Sequence, residues 1–272
     1  MAPDPIEPWL RRWSLILDGE PFTTRFGSRL APVRRESEAA MLKIAVHAED
    51  RRGGELMAWW DGQGAARVLR RAGEAILLER VSGPRSLAAM ALAGGDDEAT
   101  TILCDTAMRL HAPRPAPAPA GLVPLEIWFR SLGDAARRTG GLYATANSVA
   151  VGLLGEPRDI VVLHGDFHHD NVLDGGDRGW LVIDPKGLLG ERGFEYANLF
   201  RNPTAELALS PGVMDRRLEM VAGTADLEPA RLLLWVFAYA ALGAAWSVES
   251  GHDPGPGLAI ARQAAARIGI AV

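Results

Sequence analysis

The run His164-Gly165-Asp166-Phe167-His168-His169-Asp170-Asn171, followed downstream by Asp184, concentrates proton-transfer and metal-ligating side chains. Three kinds of chemistry compete for it. A metal site would need its ligands in fixed geometry, and His164 and His168, at i and i+4, share a metal only on a helix. His164 ends an apolar run and Gly165 follows, so a helix there is disfavoured; downstream there is only the isolated His252. A plain polar turn accounts for Asp174-Gly175-Gly176. It does not account for eight polar or bulky residues before the next apolar run, nor for Asp184 at the end of "LVID".

Phosphoryl transfer accounts for both. One carboxylate must face an acceptor hydroxyl and take its proton, while an amide oxygen and a second carboxylate face the magnesium ions on the nucleotide phosphates. Kinase catalytic loops place that Asp five residues before that Asn, with a second Asp on a following strand. Asp166, Asn171 and Asp184 repeat the order and the interval. The remaining part is an ammonium for the α/β-phosphates, and Lys43 lies in "MLKI", an apolar-apolar-Lys-apolar strand. The chain has only two lysines, Lys43 and Lys186, against 27 arginines. Lys186, two residues after Asp184, either neutralises charge near the phosphates or pairs with Glu191.

The elements that must hold these groups fall into two blocks. Before residue 82 the pattern predicts about five strands and one helix. It places a hairpin around Phe26-Gly27-Ser28, Lys43 in the third strand, a helix over Gly53 to Gly62, and two strands turning at Ala72-Gly73-Glu74. From "SGPRS" onward the periodicity is helical, with a helix start at Asp96-Asp97 and a Pro/Ala spacer from Pro113 to Gly121. "DIVVLHGD" and "GWLVIDPKG" read as two neighbouring strands, and Phe194 to Ile270 as helix. The chain divides into residues 1–81, a β-rich nucleotide lobe, and residues 82–272, a helical catalytic and substrate lobe, with a connector near Val81 to Arg85. The crevice between two lobes is a preferred ligand site.

Composition bounds the rest. The 272 residues carry a net charge of −5, which argues against a nucleic-acid surface. Cys104 is the single cysteine, so no disulfide framework forms, and it reads as a buried helix residue. The N-terminus lacks the apolar stretch of a secretory signal. The longest apolar run, "LLLWVFAYAALGAAW", has about 15 residues against the roughly 20 of a membrane span. The expectation is a cytoplasmic enzyme, plausibly monomeric, with a small-molecule partner and neither nucleic acid nor membrane.

The motifs "VVLHGDFHHDNVL", "WLVIDPKGL", "FEYANLFRNP", "LLERVSG", "AWWDGQGAARVL" and "AAWSVESG" resemble the aminoglycoside phosphotransferase superfamily, and within it the streptomycin 6-kinase and hydroxyurea phosphotransferase branch. The resemblance covers residues of about 20 to 250. It implies an α+β, bilobal, protein-kinase-like fold and phosphorylation of a small-molecule hydroxyl by ATP or another nucleoside triphosphate with Mg2+. By motif, Asp166 is the base, Asn171 and Asp184 are the metal ligands, and Lys43 meets the phosphates. "LLERV" is the hinge, with the backbone of Glu79 and Val81 against adenine and side chains there tolerant of change.

Three departures stand out. There is no Gly-rich loop, only "RFGSRL", where Gly27 and Ser28 could cradle phosphate through backbone N–H groups. Glu55, then Glu49, is the candidate acid for Lys43. Glu195 stands in "FEYANLF" where the family pattern has Asp, in a residue that braces the catalytic loop or lies beside the acceptor. Acceptor contacts are expected from Glu249, which follows an apolar stretch expected to be buried, from Asp170 and from His168; Asp253 and Glu191 are further carboxylate candidates. Trp246 either stacks on substrate or fills the core. Other readings are a catalytically silent nucleotide-binding protein, a metabolic small-molecule kinase, and a protein kinase, the last opposed by the short chain and the lack of an A-P-E segment.

Overall fold

The computed structural model describes residues 4–24 and 27–272. Helix α1 (Glu7–Trp13) leads into strands β1 (Ile16–Leu17), β2 (Phe22–Thr23), β3 (Arg29–Arg35) and β4 (Glu38–Ile44). Helix α2 (Ala48–Trp60) follows, then β5 (Val68–Ala72) and β6 (Ala75–Glu79). These six strands form one antiparallel sheet in the order β1-β3-β4-β6-β5, with β2 also on β3. The described part of the expected hairpin is present: Phe22 pairs with Leu30 and Thr23 with Arg29, while Phe26 lies outside the described residues.

Strand alternation decides which way Lys43 faces. Ala40, Leu42 and Ile44 are buried on one face against Trp9, Leu10 and Trp13 of α1. Met41 and Lys43 therefore lie on the other, beside Ile76 and under α2. Helix α1 was not foreseen; its tryptophans cover the outer sheet face, a contact local pattern does not announce.

The second block begins with α3 (Leu87–Met90), a π-turn (Ala91–Gly95) and α4 (Asp96–His111). After the Pro/Ala spacer come β7 (Val123–Pro124), α5 (Leu125–Trp128), α6 (Arg130–Thr139) and α7 (Gly141–Gly155). Then follow β8 (Ile160–Leu163), β9 (Val172–Asp174), β10 (Trp180–Val182) and β11 (Leu188–Glu191). Helices α8 (Arg192–Ala197), α9 (Ala205–Leu209), α10 (Val213–Ala225), α11 (Pro229–Glu249) and α12 (Gly255–Arg267) complete the chain. The two strands expected to be neighbours do not pair. β10 pairs with β9, formed by the end of the catalytic loop itself, and β8 pairs with β11. The loops after β8 and β10 still meet, because Lys186 N–H donates to His164 O (2.7 Å).

Helix α11 is long and apolar enough to cross a membrane by length and composition, yet most of it is buried among its neighbours. One contiguous core runs from Leu56, Trp60 and Ile76 of the first block to Trp235 and Leu242 of α11, so the lobes share a packed seam. Cys104 lies in that core, and burial pushes its thiol up to about 12.

Helix α2 starts at Ala48, five residues before the expected Gly53. Gly53 and Gly54 resemble a helix start but sit inside the helix because of packing. A Cβ on Gly53 would collide with the carbonyl of Pro185. We therefore expect Gly53→Ala to destabilise by about 1–3 kcal/mol, although Ala is the better helix former by about 1 kcal/mol. Gly152→Ala, in α7 with open space around its Cβ position, should stabilise instead. Thermal unfolding of both variants checks the opposite signs.

Candidate active site

Lys43 reaches across the seam. Its Nζ lies 2.6 Å from Asp50 Oδ1 and 2.5 Å from Asp184 Oδ1. Asp50, in the first turn of α2, is the helix acid, and Ser28 Oγ donates to its other oxygen (2.8 Å). Glu55 does not take this part: it pairs with Arg71 (3.0 Å), because the earlier start of α2 turns residue 50, not 55, toward β4. Glu49 pairs with Lys186 (3.3 Å). Burial opposes ionisation of Asp50 and of Asp184. The Lys43 ammonium outweighs it at both, holding each carboxyl below its usual range. Asp184 has φ +57°, a left-handed conformation uncommon outside Gly, Asn and Asp.

The Gly27 and Ser28 amides are committed within their own turn. Gly27 N–H donates to Thr24 O (2.9 Å) and Ser28 N–H to Thr24 Oγ1 (3.1 Å). The expected phosphate cradle is thus replaced by a turn that presents the Ser28 hydroxyl to Asp50.

The catalytic loop is built around its own side chains. His164 is buried, donates from Nε2 to Ile183 O (2.8 Å) and accepts the Asp166 N–H at Nδ1 (3.2 Å). Burial keeps it below the usual histidine range, and with both ring nitrogens bonded to loop backbone it works as a neutral strut, with no nitrogen left for a metal. Asp166 receives hydrogen bonds from Asn198 Nδ2 (3.2 Å) on Oδ1 and Asn171 Nδ2 (3.4 Å) on Oδ2. Asn171 Nδ2 also donates to the Asp166 carbonyl (2.8 Å), which leaves its amide oxygen for another partner.

Glu195 is 1% exposed and cannot reach an acceptor. Its carboxylate accepts the N–H groups of His164 (2.6 Å) and Gly165 (2.9 Å) and lies 3.3 Å from His111 Nε2. The longer side chain spans from α8 to the loop, so Glu195 braces the loop. Burial opposes its ionisation, but the His111 hydrogen bond and the loop N–H donors hold it below its ordinary 4.5. A depressed carboxyl contributes stability that is fully present above that value and is lost as pH falls through the folded pKa. Glu195→Gln should cost about 1–3 kcal/mol at neutral pH. The gap in Tm from the wild type should narrow in acid, as unfolding at a series of pH values would show.

Two cavities flank these groups. One, of about 310 Å³, is lined by Lys43, Asp50, Met41, Leu78, Ile183 and Asp184, and also by Glu79, Val81 and Asn171. The other, of about 610 Å³, is lined by Asp166, Lys186, Arg201, Trp128, Trp246 and Glu249. Lys186 joins them: its Nζ is 3.6 Å from Asp184 Oδ2 and 3.9 Å from Asp166 Oδ2. Its alternative partner Glu191 is instead buried against Arg231 (2.6 Å) and Trp235 (2.7 Å).

At the connector the side chain of Glu79 is not free to change. It accepts from Arg67 N–H (2.7 Å) and from the Arg178 guanidinium, while Glu79 N–H donates to Arg67 O (3.0 Å).

Of the expected acceptor contacts, Glu249 lines the larger cavity, held by Ser131 Oγ (3.0 Å). Trp246 lines it too, edge-on to Trp128. Asp170 is exposed and lines neither cavity. His168 sits 3.8 Å from Asp166 but spends Nδ1 on the Asp170 N–H (3.3 Å) and lines neither. Asp253 caps the Gly255 N–H (2.8 Å) at the start of α12. Asp50, Asn198 and Arg201 were not foreseen. For Asp50 the signal was present in "HAEDRR", an acid pair in the first turn of a helix.

A family model described as aminoglycoside/hydroxyurea antibiotic resistance kinase matches residues 12–251. A streptomycin 3''-kinase from Klebsiella pneumoniae is 51% identical over 247 residues, 89% of this chain and 92% of that protein. A streptomycin 6-kinase from Streptomyces griseus is 30% identical, over 88% and 81% respectively. Among solved structures, aminoglycoside phosphotransferase APH(3'')-Id from Streptomyces rimosus, in complex with ADP and streptomycin, aligns at TM-score 0.59 and 18% identity, over 89% of this chain and 98% of that one. A thermostable mutant of aminoglycoside phosphotransferase APH(4)-Ia aligns at TM-score 0.70 and 16% identity, over 95% and 99%. The structural likenesses establish the bilobal kinase-like fold. The family match over most of the length, with half of the aligned positions shared with one relative, establishes more: the chain belongs to the aminoglycoside/hydroxyurea antibiotic resistance kinases.

Proposed function

We propose that this protein transfers the γ-phosphoryl group of ATP to a hydroxyl of streptomycin, the 3''-hydroxyl being favoured by the 51% identity to a 3''-kinase over the 30% to a 6-kinase. The observation that carries the reading is the junction of two cavities at Lys186, with Asp166 on one side and the Lys43–Asp184 pair on the other. The smaller cavity takes the nucleotide, its adenine between Met41, Leu78 and Ile183 and against the backbone at Glu79 and Val81. Residues 1–81 then form the nucleotide lobe and 82–272 the acceptor lobe, with the hinge at Val81.

In this reading Asp166 orients the acceptor hydroxyl and takes its proton as the oxygen attacks the γ-phosphorus. The bond from that phosphorus to the bridging oxygen breaks, and ADP leaves. Lys43 holds the α/β-phosphates and Asp50 holds Lys43. The oxygen donors fit magnesium: the Asn171 amide oxygen and the Asp184 carboxylate are hard ligands, and few protein ligands suit an ion that keeps waters and phosphates. Bound there, magnesium supplies charge neutralisation on the phosphates. Dependence on ATP supports a cytoplasmic location.

The test is incubation with ATP, magnesium and streptomycin, with hydroxyurea in parallel. Mass spectrometry reads phosphate gain and NMR its position. Monophosphorylated streptomycin is expected. Intact nucleotide binding without transfer to either compound would refute the reading.

A further inference from the structure

The larger cavity holds a cation with no evident structural task. Arg201 follows α8 on a short 3-10 turn (Asn198–Arg201), and its guanidinium lies over the ring of Tyr239, 5.5 Å from the centroid. Among the described residues it forms no ion pair and no hydrogen bond, whereas Arg217 and Arg231 are bound to carboxylates and Arg52 and Arg114 to backbone carbonyls. Its seat is bought with a glycine. Gly243 lies inside α11, where Ala would be the better helix former, and a Cβ there would collide with the Arg201 guanidinium. Both residues line the cavity that contains Asp166.

We propose that Arg201, seated by Gly243, is a specificity-determining contact for the acceptor. The proposal rests on the kinase reading given above. A guanidinium has five N–H donors and no acceptor. The part of the substrate against it must present oxygens, whether hydroxyl, carbonyl or hydrated aldehyde, and an ammonium group there is repelled. Glu249 and Glu49, in the same cavity, offer carboxylates for cationic groups. The pocket is therefore bipolar. It selects acceptors that carry an oxygen-rich, uncharged portion beside a cationic one, and disfavours acceptors with an ammonium on every ring.

The experiment compares wild type, Arg201→Met and Gly243→Ala for streptomycin KM, kcat and ATP KM, with streptomycin Kd read from quenching of Trp128 and Trp246. Both variants should raise streptomycin KM and Kd by about 10- to 100-fold, the range of a charge-assisted hydrogen bond. ATP KM and Tm should stay near wild type, which a merely structural role would not allow. Unchanged streptomycin KM and Kd in both variants overturn the proposal while leaving the kinase reading intact. Wild type that binds streptomycin without phosphorylating it removes the kinase reading, and the Kd comparison still decides Arg201. Wild type that neither binds nor phosphorylates it overturns both.

Discussion

Asp166→Asn is expected to lower kcat for phosphate transfer by about 10²–10⁴-fold, the usual contribution of a positioned general base. Nucleotide affinity should remain nearly unchanged. Asp166 lines the acceptor cavity, and of the side chains that enclose the nucleotide cavity it is hydrogen-bonded to Asn171. Asn preserves the shape and keeps an oxygen for the Asn198 amide, so the loop held by Glu195 should stay in place. Steady-state transfer kinetics and calorimetry of nucleotide binding separate the two effects. A kcat within about tenfold of wild type would remove Asp166 from the base role.

Asp184→Asn should act on the other side of the junction. It removes one of two carboxylates on Lys43, one of the carboxylates near Lys186, and the charged member of the inferred magnesium pair. Asn is chosen over Ala because position 184 has φ +57°, which Asn tolerates. The charge stabilisation at stake is several kcal/mol, and about 4 kcal/mol corresponds to roughly 10³-fold in kcat/KM. The magnesium-dependent part of ATP affinity should fall with it. ATP titrations with and without magnesium test this; an unchanged magnesium dependence would mean that residue 184 is not a ligand.

Much of the candidate site was legible because its parts are local. Asp166 and Asn171 are separated by one loop, and their interval survives in the sequence. Lys43 was legible because a charged residue in an apolar strand is anomalous. The partner of Lys43 was not. Gly53-Gly54 looked like a helix boundary, which hid the acid pair before it; close packing on Pro185 is what places glycines there. Glu195 was recognised as unusual, but whether it braced the loop or met substrate depended on its burial. Arg201 falls within the family-like run "FEYANLFRNP", but nothing local marks it as a pocket residue, because one arginine among 27 is indistinguishable in a chain that uses arginine so freely.

By itself the sequence determined the order of β-rich and helical blocks, the catalytic loop and the kinase class of chemistry, since these rest on periodicity and short spacing. Only the tertiary structure decided which carboxylate holds Lys43, what Lys186 bridges, and which side chains wall the acceptor cavity. Each of those pairs residues far apart in the chain, such as Lys43 with Asp184 and Ser131 with Glu249. Their meeting depends on where helices start and how closely backbones pack, and neither has a period that a sequence displays.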